Sequence, residues 1–284
     1  MNVAPRDRIS LQEAAQRLGV HYMTVYRYVR TGRLPAERDG ALWTVDPADL
    51  DRMRAPGPAP RGSGSVRSEG SAKLVTRMVA GDEAGAWSTV EAALASSLEP
   101  AEIYDELLVP ALRDIGTGWA NGSLSIADEH GATAVAQRII GRLGPRFARR
   151  GRKRGTVVLG AAPGDEHSLP CAIVADLLRE ARFVALDLGA NVPAASFLDA
   201  ARNANRLVAV MIAVTTPGRD RAVRASIRAL RAGGITAPVL VGGGAIENHA
   251  HARRLGADGW SGPDARSAVD AAEDAASRAA VGRR

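Results

Sequence analysis

The sequence predicts a multidomain fold of α and α/β class: a small helical head, a four-helix bundle, and a parallel sheet wrapped by helices. Three observations predict it. Apolar runs alternate with helical stretches from Thr156 onward, the pattern of strand–helix–strand units. Residues 72–148 carry apolar side chains at helical spacing in four successive stretches. Residues 1–54 hold two short helical stretches around Gly19 and then a hairpin signal. Two breaks in composition separate these parts. Ala55-Pro-Gly-Pro-Ala-Pro-Arg-Gly-Ser-Gly-Ser65 excludes a helix interior or central strand, and a flexible linker is predicted over 55–71. Arg149-Arg-Gly-Arg-Lys-Arg-Gly155 is basic and glycine-punctuated, so the sheet domain is predicted over 155–284.

In the head, Ser10-Leu-Gln-Glu13 reads as a capping box. Leu11, Ala14, Ala15 and Leu18 then recur on one helical face, and Gly19 ends the helix. In the second helix, His21–Arg30, Val25 and Val29 face inward and leave Tyr22, Tyr26, Arg27 and Arg30 outside. Arg38-Asp-Gly40 signals a hairpin turn before the strand Ala41–Val45, and Asp46-Pro47 opens a last helix. Such a helix pair can set its second member in a major groove. Double-stranded DNA is the expected partner, with Tyr22, Thr24, Tyr26, Arg27, Arg30 and Arg38 as candidate contacts. A helix pair used for protein contact, with a solvated Arg-rich face, is the alternative. Residues 1–73 hold twelve basic and eight acidic side chains, which favours DNA. The stretch resembles the winged helix-turn-helix domains of excisionase-like and MerR-like proteins. The matching residues are Leu11-x-x-Ala-Ala-x-x-Leu-Gly-Val20, Thr24-Val-Tyr-Arg27 and Gly32-x-Leu34.

The bundle is read from stripes at Leu74, Val75, Met78 and Val79, then Val90, Ala93, Leu94 and Leu98. Glu99-Pro-Ala-Glu102 starts a third helix that runs to Trp119, and Ser125 caps a fourth that reaches Leu143. Most of these residues are core. Trp119, among glycines at a helix end, and Glu129-His130, in the first turns of the next helix, are the exceptions.

The sheet domain carries the chemistry. Strands are predicted at Thr156–Ala162, Phe183–Leu188, Leu207–Val214, Pro238–Val241 and Ala257–Ser261. Asp165-Glu166-His167 follows the first directly, at the edge where open α/β sheets bind ligands. The acid two residues from the imidazole can fix its tautomer and raise its basicity. Gly189-Ala-Asn-Val-Pro193 follows the second strand, and Gly242-Gly-Gly244 the fourth. The first strand lacks G-x-G-x-x-G, which argues against a dinucleotide enzyme. Together these resemble the cobalamin-binding domain, a Rossmann-like fold. That resemblance implies His167 as the lower axial ligand of cobalt, with Asp165, Val192, Thr215, Gly242 and Gly243 also at the cofactor. Trp119, nine residues, then Glu129-His130 resembles the bundle cap of MerR-type cobalamin-dependent light sensors. It implies Trp119, Glu129 and His130 over the corrin, with His130 as a candidate upper ligand. Three positions depart from these patterns. Pro170 replaces the last Gly of D-x-H-x-x-G, Met211 stands where a serine is usual, and Ala120 stands where the light sensors carry a His.

The resemblances imply a cobalamin-binding transcriptional regulator, not an enzyme, whose corrinoid state (adenosyl-, methyl- or hydroxocobalamin) controls oligomerisation and DNA binding, with light as a possible input. The alternatives are a corrinoid carrier for a methyltransferase or mutase, and a degenerate sensor that no longer binds cobalamin. Bulk properties are compatible with all three. The net charge is +6, from 37 Lys and Arg against 31 Asp and Glu, a weak pull towards polyanions. Lone Cys171 excludes an internal disulfide framework. With no membrane-length apolar run and no signal-like start, a cytoplasmic protein without a membrane partner is expected, and the resemblance implies a homo-oligomer.

Overall fold

In a computed structural model of the chain, the structure describes residues 8–18, 25, 28–29, 34–39, 42–54 and 64–281. The DNA-contact candidates Tyr22, Thr24, Tyr26, Arg27 and Arg30 lie outside the described residues. Two compact units result, residues 1–136 and 137–284, and the division falls inside one helix, Ile126–Leu143.

The first unit begins with β1 (Ile9–Ser10) and the helix Leu11–Leu18. Ser10 Oγ accepts the Glu13 amide at 3.1 Å, as a cap should. The Glu13 carboxylate does not return to the cap; it pairs with Arg17 at 2.6 Å, so half of the predicted box forms. β2 (Ala36–Asp39) and β3 (Leu42–Val45) make the predicted antiparallel hairpin, and β1 adds to β3 in the order β1-β3-β2. Ile9, Leu11, Ala14, Ala15, Val25, Leu34, Val45 and Leu50 close a small core. Asp46 Oδ1 accepts the Ala48 amide at the start of the helix Pro47–Arg54.

The bundle follows as Gly64–Val79, Glu83–Ala95, a run from Pro100 to Asn121, and Ile126–Leu143. Its first helix starts at Gly64, inside the stretch expected to be linker. Further along, at Gly70 and Ser71, the helix packs against the third helix. A Cβ at Gly70 would lie 2.7 Å from Leu107 Cδ2, and Ser71 Oγ donates to the Leu107 carbonyl at 3.3 Å. This carbonyl belongs to a π-helical stretch, Tyr104–Leu108, within the third helix. There the i→i+4 ladder is interrupted, a local widening typical of single π-bulges. Glu99 and Glu102 form a reciprocal capping box, and Ser125 and Asp128 cap each other across the next helix start.

The second unit is a five-stranded parallel sheet: β4 (Thr156–Ala161), β5 (Val184–Asp187), β6 (Leu207–Ala213), β7 (Val239–Gly242) and β8 (Gly259–Trp260). Their order is β5-β4-β6-β7-β8. Alternation along each strand sorts the core into two layers. Val158, Val210, Ile212 and Val241 face the helices Ala194–Asn203 and Asp220–Ala232 through Phe197, Val223 and Ile227. Val157, Leu159, Met211 and Leu240 face Leu169–Glu180 and Ala265–Val281 through Cys171, Leu178 and Ala272. Every residue of β4 is buried, whereas Val184 and Leu186 of the outer strand β5 are exposed. Among the described residues no helix is long and apolar enough to cross a membrane.

Candidate functional site

The chain crosses from one side of the sheet to the other between β4 and β6. In doubly wound sheets the crevice at that switch, beyond the strands' carboxyl ends, receives the ligand. Two loops meet there. One follows β4 and carries Gly164, Asp165, Glu166 and His167; the other follows β6 and carries Thr215, Thr216 and Arg219.

Asp165 is fully buried between them. Its Oδ1 lies 2.7 Å from His167 Nδ1 and accepts the Thr216 hydroxyl at 3.1 Å, while Oδ2 accepts the amides of Thr215 at 2.5 Å and Thr216 at 3.0 Å. Burial by itself pushes this carboxyl up. The hydrogen bonds from the His167 ring and from the Thr216, Thr215 and His167 amides outweigh it and hold the group well below the usual carboxylate range. An ionised acid therefore fixes one ring nitrogen of an imidazole whose side chain is 55% exposed. Its opposite nitrogen, Nε2, is the atom this arrangement turns away from the acid and towards an incoming metal or ligand.

A third segment locks the loop from the end of β5. Asn191, at φ +51°, donates its amide N–H to the Asp165 carbonyl at 2.8 Å. Its side chain accepts the Gly164 amide at 2.7 Å and donates to Glu166 at 2.8 Å. Asn tolerates this left-handed backbone better than other side chains do. Sequence reasoning missed Asn191 and Arg219 as parts of the site, and raised Thr216 only as a stand-in, with Thr215, for the serine that Met211 replaces, not as a support of Asp165. An Asn between strand-end glycines, and a Thr pair straight after an apolar run, were the available signals.

Other candidates sit differently. Thr215, expected at the cofactor, uses its amide on Asp165. Val192 is 3% exposed and packs into the core, where its Cγ2 would lie 2.8 Å from a Cβ at Gly160. Gly243, at φ +99°, and Gly242 face the chain itself: added Cβ atoms would strike Val214 and Ser261. The open glycines at this edge are Gly189, Gly218 and Gly244, with nothing within 4 Å of an added Cβ. Pro170 occupies the first turn of the helix Leu169–Glu180, where it fits without strain. His251, on the helix His249–Arg254, is largely covered. Its side chain is 12% exposed, and Nε2 meets Asp220 at 3.3 Å.

In the first unit, Trp119 and His130 lie on either side of the short turn 122–125, so the bundle carries them at one end. Trp119 is 52% exposed. Glu129 Oε2 lies 2.7 Å from His130 Nδ1, and Glu129 Oε1 accepts the Thr133 hydroxyl. Arg38 is exposed on β2, its guanidinium 5.9 Å from the Trp43 ring centroid.

A concavity of about 490 Å³ lined by Arg152, Lys153, Val184, Leu186 and Arg206 opens at the opposite, amino end of the strands. The crevice at the carboxyl edge is identified by its chemistry instead.

Comparison with known proteins agrees with that chemistry. A B12 binding domain family model matches residues 71–143, a second matches residues 155–271, and a helix-turn-helix domain model matches residues 9–55. Dimethylamine corrinoid protein of Methanosarcina barkeri is 31% identical over 169 residues, 57% of this chain and 76% of that protein. Trimethylamine corrinoid protein 1 of Methanosarcina acetivorans is 28% identical over 195 residues, 67% of this chain and 90% of that protein. The solved monomethylamine corrinoid protein of Methanosarcina barkeri has the same fold, with a TM-score of 0.63 at 17% identity over 73% of this chain and 99% of that one. These relatives overturn the expectation of a transcriptional regulator. They are corrinoid proteins of methylamine systems and favour the carrier alternative.

Proposed function

Because the chain belongs to the corrinoid-protein family and binds cobalamin, we propose that it is the corrinoid carrier of a methyl-transfer system, serving a separate methyltransferase. The chain itself is not an enzyme. When bound, cobalamin supplies a cobalt centre able to accept and give up a methyl group.

The observation that carries this reading is His167, half-exposed at the switch point and tied to an ionised, buried Asp165. The residues present fit the cofactor. An imidazole is a good cobalt donor, its orienting carboxylate is already in place, and Gly189 and Gly244 leave the edge open. His167 is proposed to hold the cofactor's lower face, with Asp165 fixing the ring and Thr215, Thr216 and Asn191 fixing Asp165. Trp119, Glu129 and His130, at one end of the bundle, are proposed as further cofactor-binding residues. Val192, Gly242 and Gly243 shape the sheet edge from behind. For the head, double-stranded DNA stays the proposed ligand on the helix-turn-helix match and the exposed Arg38.

The test is retention of the charged cofactor. Protein loaded with hydroxocobalamin, reduced and treated with methyl iodide, should show the methylcobalamin spectrum and keep it through gel filtration. Release of the methylated cofactor into the small-molecule fraction would overturn the carrier reading.

A further inference from the structure

Arg219 is a cation that the rest of the site leaves unanswered. It stands at the end of the loop after β6, at the N-cap of the helix Asp220–Ala232, and makes no side-chain capping bond. A positive charge is disfavoured at that end of a helix, where the backbone N–H groups already present positive charge. The guanidinium lies across the loop that carries Asp165 and His167. A Cβ at Gly164 would be 2.9 Å from Nη1, 3.2 Å from Cζ and 3.5 Å from Nε. The backbone of Gly164, at φ +80°, is one that favours glycine, and the guanidinium rests in the space a side chain would take.

Its Nε is shut off from solvent and has no acceptor. The carboxylates of these loops are committed elsewhere. Asp165 serves the His167 ring, Thr215 and Thr216; Glu166 binds Asn191; Asp220 binds His251 and Arg224. Arg219 makes no ion pair among the described residues. Charged donors left without acceptors are costly, so such a group implies a ligand that brings the acceptor.

We propose that Arg219 anchors the phosphodiester of cobalamin's nucleotide tail. The inference rests on the corrinoid reading of the Asp165–His167 loop. If His167 takes the lower face of cobalt, the base and its tail must leave that position, and the tail carries the one peripheral phosphodiester of the molecule. A guanidinium beside the histidine loop, with its fork of donors, matches a phosphate in charge and shape.

The experiment compares three corrinoids on the full chain: cobalamin, cobinamide phosphate, which lacks the base, and cobinamide, which lacks base and phosphate. Dissociation constants are read from corrinoid absorbance. Arg219→Gln should weaken cobalamin and cobinamide phosphate about tenfold, the scale of one lost charge-assisted contact, and leave cobinamide within about twofold. Arg219→Lys, which keeps the charge, should fall between. The gap between cobinamide phosphate and cobinamide should narrow with added salt in the unmodified chain. Equal losses for all three corrinoids would overturn the proposal and make Arg219 a packing residue of the Gly164 loop. No loss for any would overturn it as well. If the unmodified chain bound none of the three, the corrinoid reading itself would fall.

Discussion

Two carboxylate–histidine pairs in this chain have the same length and opposite surroundings. In Asp165–His167 and in Glu129–His130 the acid lies 2.7 Å from the ring's Nδ1. The first acid is fully buried and takes three further hydrogen bonds from a loop fifty residues away in sequence. The second sits on the first turns of a helix, its own side chain 30% exposed and its histidine 76% exposed. Distance is therefore a poor guide to what a pair can do. A ring is held in one orientation only when its partner is itself held, and burial with satisfied hydrogen bonds does that at Asp165.

The largest effect expected from this contrast is at His167. His167→Ala should abolish the histidine-ligated corrinoid spectrum, while His130→Ala leaves the lower-ligand signature in place; the reverse pattern would invert the ranking of the pairs. Asp165→Ala comes next. It strands the Thr215 and Thr216 amides, and the loss should be roughly 3 kcal/mol in urea unfolding, with a 10- to 100-fold weaker cobalamin affinity. Glu129→Ala removes an accessible partner and should change stability by less than about 0.5 kcal/mol. Equal costs at Asp165 and Glu129 would erase the distinction. Gly164→Ala is smaller: a side chain at φ +80° facing Arg219 should cost about 1–2 kcal/mol. The smallest effect is chemical. Cys171 is 2% exposed, and burial, with the charges of Asp187 and Asp165, pushes its thiol up. Iodoacetamide at pH 8 should leave it intact in the native chain and alkylate it in urea; rapid native labelling would show the helix start behind the loop to be open.

The elements were legible because their signals are local. Alternating apolar runs located all five strands of the sheet, and the Ser125 cap located the start of its helix. Asp165 and His167 were legible for the same reason, lying two residues apart directly after a strand. Their supports were not. Thr216, Asn191 and Arg219 arrive from the ends of two other strands, and only the sheet order brings them to the loop. The helix start at Gly64 was hidden because it falls in a glycine- and serine-rich stretch that reads locally as linker, while the packing of Gly70 and Ser71 against Leu107 is with a residue distant in sequence. Function was misread for a related reason. A regulator and a carrier can hold a corrinoid with the same Asp–His loop, so the loop's residues do not distinguish them, and the helix-turn-helix head tilted the reading towards control of DNA.

The division of the chain inside Ile126–Leu143 bears on how it can be cut. Composition suggests severing the sheet domain at the basic stretch ending in Gly155, yet buried Leu143 and Phe147 precede that point, and Gly144 lies against Asp176, where an added Cβ would be 3.4 Å from Oδ1. A fragment starting at Gly155 would bare an apolar patch on the helix Leu169–Glu180 and should aggregate. One starting near Gln137 keeps its own covering and is the better candidate for expression as a separate piece.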